Sequence, residues 1–568
     1  MNKSSKKGIV VLVVLAVLVF GVTFLVIRLT QNVGRNPGEV SEEQAMETLD
    51  RLYKRLRVNS LPPIMENVDL EVADIRDSLP DISKYPCQVD NVTADYIEIF
   101  SSTEKATVAA SGVDSDRWLV DVAEAFNRSG AQVDGKPVSV RIRGVASGVG
   151  VDYIASGKYI PDAFSPSNEL WGDDLKAQGV DISLVEKRLC GNVAGIVLTR
   201  PKQDDIIAKY GVVNLKTITE AVAAGEITMG YTNPYASSTG ANFLISTLYT
   251  FDGADPLSSV AVNAFESFQT NIPFVAYTTL QMKDAAKSGA LEGFVFEYQQ
   301  FQNSPDLKNE YIFTPFGVRH DSPVYRLGSL SEIKQEILRQ FIDYCLTQEN
   351  QKSAERYGFN GHNEYEMELS GVRGNIMASA QKLWKEKKSG NREMIAVFVA
   401  DVSGSMDGEP LNRLKESLLQ SSKLINPDCS VGLITFSDYV NIALPIAKFD
   451  LNQRSLFTGA VRGMDANGGT AMFDAIVVAS KMLTDAGEEH PNAKLMLFVL
   501  TDGETNQGFS LNDTRSMIEG LRIPIYTIGY NADIKVLSTL SSINEAASID
   551  ADSDDVVYKM QNLFNAEM

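Results

Sequence analysis

Five oxygen-bearing side chains hold the chain's clearest chemistry. Asp401, Ser403 and Ser405 follow the apolar run MIAVFVAD in the pattern D-x-S-x-S; Thr470 stands in Gly468-Gly469-Thr470, and Asp502 ends the run KLMLFVLTDG. Hydroxyl and carboxylate oxygens are hard ligands that suit Mg²⁺, Mn²⁺ or Ca²⁺, with Mg²⁺ the ion that best tolerates retained waters and exchangeable positions. Direct binding by the three hydroxyls, with the two aspartates acting through water, would leave the ion strongly positive and open to a partner's carboxylate. D-x-S-x-S alone is also an ordinary turn followed by a helix cap. Three separated elements in order weigh against that reading. Gly404 lets the loop backbone come close to the ion.

A second set of small hydroxyls lies in the middle of the chain, in three loops: Ser101-Ser102-Thr103 after YIEIF, Ser147-Gly148 after VRIRGVA, and Ser237-Ser238-Thr239-Gly240 ahead of ANFLISTLY. At helix amino termini such residues, with backbone N–H groups, form a neutral pocket for an oxyanion or carboxylate. The same residues serve as plain N-caps in any protein.

These residues need strands to carry them and helices to follow. From about residue 96 to 361, strand-like runs (YIEIFSS, VSVRIRG, GIVLTR, GFVFEY) alternate with helical stretches, the pattern of an α/β doubly wound sheet, here expected in two lobes. After residue 393 a second such alternation begins: MIAVFVAD, VGLITFS, KLMLFVLTDG and IPIYTIGY are separated by EPLNRLKESLLQSSKLI, FDAIVVASKMLTDA and DTRSMIEGL. Open α/β sheets place ligands at the carboxyl ends of their strands, where both hydroxyl sets fall.

The middle region resembles the type II periplasmic, or extracellular solute-binding, proteins that serve ABC importers. The opening strand with its Ser pair, ASGKYIPDAFSPSNELW, NPYASSTGANFL and LEGFVFEYQQF carry that resemblance over roughly 265 residues. It implies a bilobed fold whose cleft takes a small anionic or polar solute, with Ser102, Ser147, Ser165, Ser238, Thr239 and Glu297 as candidate lining residues. A carboxylate at Glu297 would repel an oxyanion unless paired or protonated. The carboxyl-terminal region resembles the von Willebrand factor A (VWA) domain with its metal-ion-dependent adhesion site, on D-x-S-x-S, G-G-T and T-D-G. That resemblance implies Ser403, Ser405 and Thr470 as hydroxyl ligands, Asp401 and Asp502 close to the ion, and metal-dependent binding of a protein partner through an acidic side chain.

The remaining organisation follows from composition. The chain has 568 residues and a formal net charge of -21, with no long basic run, which speaks against nucleic acid. Residues 8–27 are twenty uncharged, mostly apolar positions, preceded by Lys3, Lys6 and Lys7. They predict a transmembrane helix with a cytoplasmic basic tail (1–7) and the bulk of the chain exported. A cleaved signal peptide is the alternative, though no A-x-A site follows. Ser41 and Gln44 form a capping box for a helix to about residue 57, and 28–94 reads as a stalk helix and extended, Pro-containing linker. The expected order is then a solute-binding-like domain (95–365), a linker helix (366–392) and a VWA domain of Rossmann-like fold (393–568).

Only His320, His362 and His490 occur, and Cys87, Cys190, Cys345 and Cys429 are far apart. With no nucleophile elbow, phosphate loop or H-E-x-x-H helix, the chain is expected not to be an enzyme. The function so read is an anchored extracellular protein for sensing, adhesion or envelope assembly. The alternative is an importer-associated solute receptor docked to envelope components through its VWA domain.

Overall fold

The computed structural model describes residues 40–568, apart from 72–74, 109–114, 273, 277–281, 283–285, 287–290, 368, 370, 371, 373, 391, 504, 531–533, 544–547 and 552–555. The apolar stretch 8–27 read as a membrane helix lies outside the described residues. Among those described, no helix is long and apolar enough to cross a membrane.

The strands, in chain order, are β1 (Val58–Ser60), β2 (Cys87–Val89), β3 (Asp95–Ser101), β4 (Gln132–Val133), β5 (Lys136–Gly144), β6 (Ala163–Ser165), β7 (Ile182–Glu186), β8 (Val193–Thr199), β9 (Met229–Thr232), β10 (Phe274–Ala276), β11 (Gly293–Glu297), β12 (Tyr311–Arg319), β13 (Val324–Leu327), β14 (Met394–Asp401), β15 (Ser430–Phe436), β16 (Val440–Lys448), β17 (Lys494–Thr501), β18 (Ile525–Tyr530) and β19 (Ser548–Ala551). They build three sheets.

Two of the sheets make the lobes of the middle unit. The first runs β2-β5-β3-β6-β13-β7 and the second β10-β9-β11-β8-β12. The chain passes from β7 into β8 and returns from β12 into β13, so two connections join the lobes. In each lobe the inner strands are parallel, β3 with β5 and β6, β9 with β10 and β11, while the crossing strands β8 and β13 pair antiparallel. This is why the polar loops after β3, β6 and β9 end up facing one another.

The third sheet runs β1-β16-β15-β14-β17-β18-β19. All eight residues of β14 are buried between parallel β15 and β17. An uninterrupted apolar run is what a strand covered by helices on both faces requires. Met472–Glu489, whose buried side includes Phe473, Ile476 and Val477, supplies one cover.

From residue 40 onward, the segment read as a stalk and linker folds back instead. The predicted capping box is present on helix Glu42–Tyr53, with Ser41 and Gln44 exchanging backbone bonds of 3.2 Å. Its Ala45, Leu49 and Leu52 are buried against the third unit, beside Gly520 of helix Leu511–Leu521. After it, β1 adds in parallel to the β16 edge, and residues 61–71 lie across the same unit. An amphipathic helix of twelve residues gains more by burying its apolar stripe than by standing free in water. The next stretch packs on the first lobe, where Tyr153 Oη donates to the Pro80 carbonyl at 2.8 Å and Arg143 Nη1 to that of Ile82 at 3.1 Å. Helix Gly374–Lys387 docks on the second lobe through Trp384, whose Nε1 donates to Tyr231 Oη at 2.6 Å.

Candidate functional site

The carboxyl edge of the third sheet gathers all five predicted oxygen ligands. Asp401 is the last residue of β14; Ser403 and Ser405 follow in a tight turn whose Gly404 N–H donates to the Gly468 carbonyl at 2.9 Å. That bond ties the first loop to the Gly468-Gly469-Thr470 loop. The Asn467 N–H bonds the Val402 carbonyl at 2.8 Å and reinforces the tie. Asp502 follows β17, the parallel neighbour of β14, so the third element arrives on the same edge.

Within the cluster, Asp401 is fully buried. Its Oδ1 accepts the Ser403 N–H at 2.8 Å and its Oδ2 the Thr501 hydroxyl at 2.5 Å. Burial pushes its carboxyl up to about 6, against these hydrogen bonds, and the Asp502 charge adds to the rise. Ser403 Oγ and Ser405 Oγ stand 3.0 Å apart, the first buried and the second exposed. Thr470 is buried, with its N–H held by Asn506 Oδ1 at 2.9 Å. Asp502 Oδ1 is buried and has no hydrogen-bond partner. A buried carboxylate oxygen without a donor is costly in a native structure. A buried carboxyl raised chiefly by its burial and a second with an unpartnered buried oxygen, beside hydroxyls with lone pairs to spare, fit a hard divalent cation.

Among the described residues no group of three or more His, Cys, Asp and Glu is placed to hold a metal. The cluster here offers only two acids and fills its remaining positions with hydroxyls. The outer ring was not legible from sequence. Asp438 Oδ1 accepts the Gly469 N–H at 2.9 Å and Gln507 Nε2 at 2.7 Å, bracing the Gly-Gly-Thr loop from the β15–β16 turn.

The interlobe region brings together the second set, but in a different role from an open pocket. Ser102 does not open a helix; residues 103–106 form a turn and the next helix starts at Trp118. The turn inserts Lys105, wholly buried, whose ammonium donates to Ser102 Oγ and to the Ser165 carbonyl, the latter at 3.0 Å. Glu104 accepts Ser102 Oγ at 2.5 Å and Ser167 Oγ at 2.8 Å, with the Lys105 ammonium 3.6 Å away. Burial opposes its charge, yet the lysine and the hydroxyls hold Glu104 below the ordinary carboxylate range. Ser147 opens helix Ser147–Ser156 and accepts the Ser167 N–H at 3.3 Å.

On the other lobe Ser237, not Ser238, is the cap of helix Ser238–Phe251. That leaves Ser238 to accept Trp171 Nε1 at 2.8 Å and Thr239 to donate to Glu297 at 3.0 Å. Glu297, expected to repel an anion unless paired, is paired: His320 Nδ1 lies 3.0 Å from Oε1 and Asn192 Nδ2 donates to Oε2 at 2.8 Å. His320 is fully buried between Asn168 and Asn242, each 3.1 Å from Nε2. Ser165 Oγ and Asn168 Oδ1 remain buried without partners. Lys105, Glu104, Asn168, Asn192 and His320 were missed because a lone charge or amide in a loop carries no periodic signal of burial.

Comparison with known families agrees with this architecture. Residues 107–360 match the family model of bacterial extracellular solute-binding proteins, and residues 396–566 that of the von Willebrand factor type A domain. The chain therefore carries a solute-binding-protein unit followed by a VWA domain. Among curated relatives, inter-alpha-trypsin inhibitor heavy chain H3 of Mesocricetus auratus is 32% identical over 177 residues, 28% of this chain and 19% of that protein. A von Willebrand factor A domain-containing protein of Dictyostelium discoideum is 31% identical over 155 residues, 27% of this chain and 18% of that protein. The chain thus spans about a fifth of the length of these relatives. Among solved structures, an extracellular solute-binding protein from Bordetella parapertussis aligns with 52% of this chain and 99% of its own at 18% identity and a TM-score of 0.36. A von Willebrand factor type A structure from Catenulispora acidiphila aligns with 31% and 43% at 21% identity and a TM-score of 0.28.

Proposed function

We propose that the VWA domain binds a protein partner through a divalent cation, most readily Mg²⁺, with Mn²⁺ or Ca²⁺ as substitutes. Ser403, Ser405 and Thr470 would hold the ion directly, with Asp401 and Asp502 beside it. The observation that carries this reading is the buried, unpartnered Asp502 Oδ1 on the same edge as Asp401 and the three hydroxyls. The ion would supply a Lewis-acidic position for a partner's Asp or Glu. The chain's own part is to fix the ligands through the Gly404–Gly468 and Asn467–Val402 bonds. The reading is one of binding and not catalysis, because the hydroxyls that make up most of the cluster are poor general bases at neutral pH.

The reading extends to the whole chain as an anchored extracellular protein, held by residues 8–27 as a signal anchor with its amino terminus cytoplasmic and acting in sensing, adhesion or envelope assembly. A second reading, a solute receptor associated with an importer, draws support from the buried Ser165 Oγ and Asn168 Oδ1, which leave hydrogen-bonding capacity in the interlobe region for a small polar ligand. Calorimetry with Mg²⁺ and Mn²⁺ on the full chain and on its Asp401→Ala and Thr470→Ala variants tests the first reading. Saturable binding abolished in both variants is expected; no binding at millimolar metal removes it.

A further inference from the structure

A cavity of about 330 Å³ adjoins the metal-site loops, between the returning amino-terminal segment and helix Leu451–Arg462. Leu61 and Ile64 form its outer wall, and Val402, Ala443 and Met464 its apolar floor. Its volume is at the small end of ligand pockets, roughly 300–1,000 Å³. It has room for one large side chain and not for a secondary-structure element.

Two features set it apart from a casual surface dent. The outer wall is fastened in place. The Leu61 N–H donates to the Ile442 carbonyl at 2.9 Å, the Glu66 N–H to that of Ser455 at 3.2 Å, and Ser455 Oγ to the Glu66 carbonyl at 2.6 Å. At Gly459 a Cβ would meet the Ile64 carbonyl at 2.0 Å, so the wall lies directly on the helix backbone. Yet Leu61 and Ile64, held so firmly, stay 44% and 55% exposed. Anchored apolar side chains left open around a concave surface mark a place where another molecule completes the burial.

The second feature is continuity with the cation site. Val402 of the floor stands between Asp401 and Ser403, and Asn467 of the rim bonds Val402 and precedes the Gly-Gly-Thr loop. Ser437, also lining it, accepts the Ala471 N–H at 3.0 Å, next to Thr470.

We infer that the cavity receives an apolar side chain of the same protein partner whose acidic side chain meets the cation, so that the partner's recognition element pairs an Asp or Glu with a nearby large apolar residue. This rests on the metal-dependent reading of the VWA domain. The returning segment 61–64 is then a specificity element that the VWA domain acquires from outside its own stretch of sequence.

Straight-chain monocarboxylates from acetate to octanoate imitate the pair, with the carboxylate for the ion and the tail for the cavity. On the full chain at saturating Mg²⁺, affinity measured by calorimetry should rise with tail length, by about fourfold for each methylene that enters the cavity. Leu61→Asn and Ile64→Asn, polar but uncharged changes at half-exposed positions, should abolish that rise while leaving acetate and Mg²⁺ binding unchanged. Equal affinity for acetate and octanoate overturns the inference alone. So does a tail-length gain that persists in both variants or after chelation of the metal. Absence of any Mg²⁺-dependent carboxylate binding overturns the metal reading, and the inference with it.

Discussion

Tyr558 Oη donates to Asp152 Oδ2 at 2.7 Å, across 406 positions of sequence. Tyr558 belongs to the last helix of the VWA domain, Val556–Glu567, and Asp152 to the first-lobe helix whose opening residue, Ser147, faces the interlobe network. The two units therefore meet through a buried phenol and a half-buried carboxyl, and the phenol sits among the apolar residues of the solute-binding unit.

Burial pushes the Asp152 carboxyl up to about 7, outweighing the Tyr558 bond that lowers it, and nearby Asp174, itself raised to about 6, adds repulsion. The folded state thus holds a proton that the unfolded chain releases near 4. Stability from this group is fully present below about pH 4 and is lost as pH rises through about 7. Asp152→Asn keeps an acceptor for Tyr558 without the charge. Its denaturation curve should be more stable than wild type at pH 8, by on the order of a few kcal/mol, with the advantage shrinking towards pH 4. An advantage that does not change with pH would show that Asp152 does not titrate in this interval.

Gly459→Ala tests the fastening of the returning segment. The new methyl would occupy the place of the Ile64 carbonyl, and a backbone atom cannot swing aside as a side-chain tip can. Release of residues 61–71 from the VWA surface should open them to limited proteolysis, with a loss of about 1–3 kcal/mol. Unchanged cleavage would mean that the segment is held from elsewhere, through β1 or the Lys423–Asp69 pair at 2.7 Å.

What sequence could and could not reveal follows from how local each signal is. Asp401, Ser403 and Ser405 are read within one strand–turn, and Thr470 and Asp502 each adjoin a strong helix or strand pattern, so their convergence follows from topology. The returning segment had no such mark: β1 is three residues long, its partner Asn441 is 382 positions from Asn59, and the intervening prolines mimic a linker. Lys105 was equally hidden. In SSTEK it reads as a solvated charge, and only the meeting of β3 and β6 loops makes it a buried one.

That burial has a consequence. Removing the ammonium with Lys105→Met leaves Glu104 charged and enclosed, with the hydroxyls of Ser102 and Ser167 still donating to it at 2.5 and 2.8 Å. The loss should reach roughly 3–5 kcal/mol, because an uncompensated buried charge costs more than the pair gains. The double variant Lys105→Met, Glu104→Gln should recover much of it, and thermal unfolding of wild type, the two single variants and the double variant gives the coupling. A double variant no more stable than the single one would show that the two charges do not depend on each other.

The cysteines separate by exposure. All four are free thiols; Cys190, Cys345 and Cys429 are buried, whereas Cys87, at the start of β2, is only partly covered. Burial raises every one of these thiols, Cys190 to about 12 and Cys429 to about 11, so none carries appreciable thiolate at neutral pH. Reaction of the native protein with an aromatic disulfide reagent at pH 8 should therefore be slow and confined to Cys87, and four equivalents should react once the chain is unfolded. Fewer than four in the denatured protein, restored by prior reduction, would mean that a disulfide forms in the natural compartment. Fast reaction of Cys190 or Cys345 in the native protein would mean that the first-lobe core around them opens in solution.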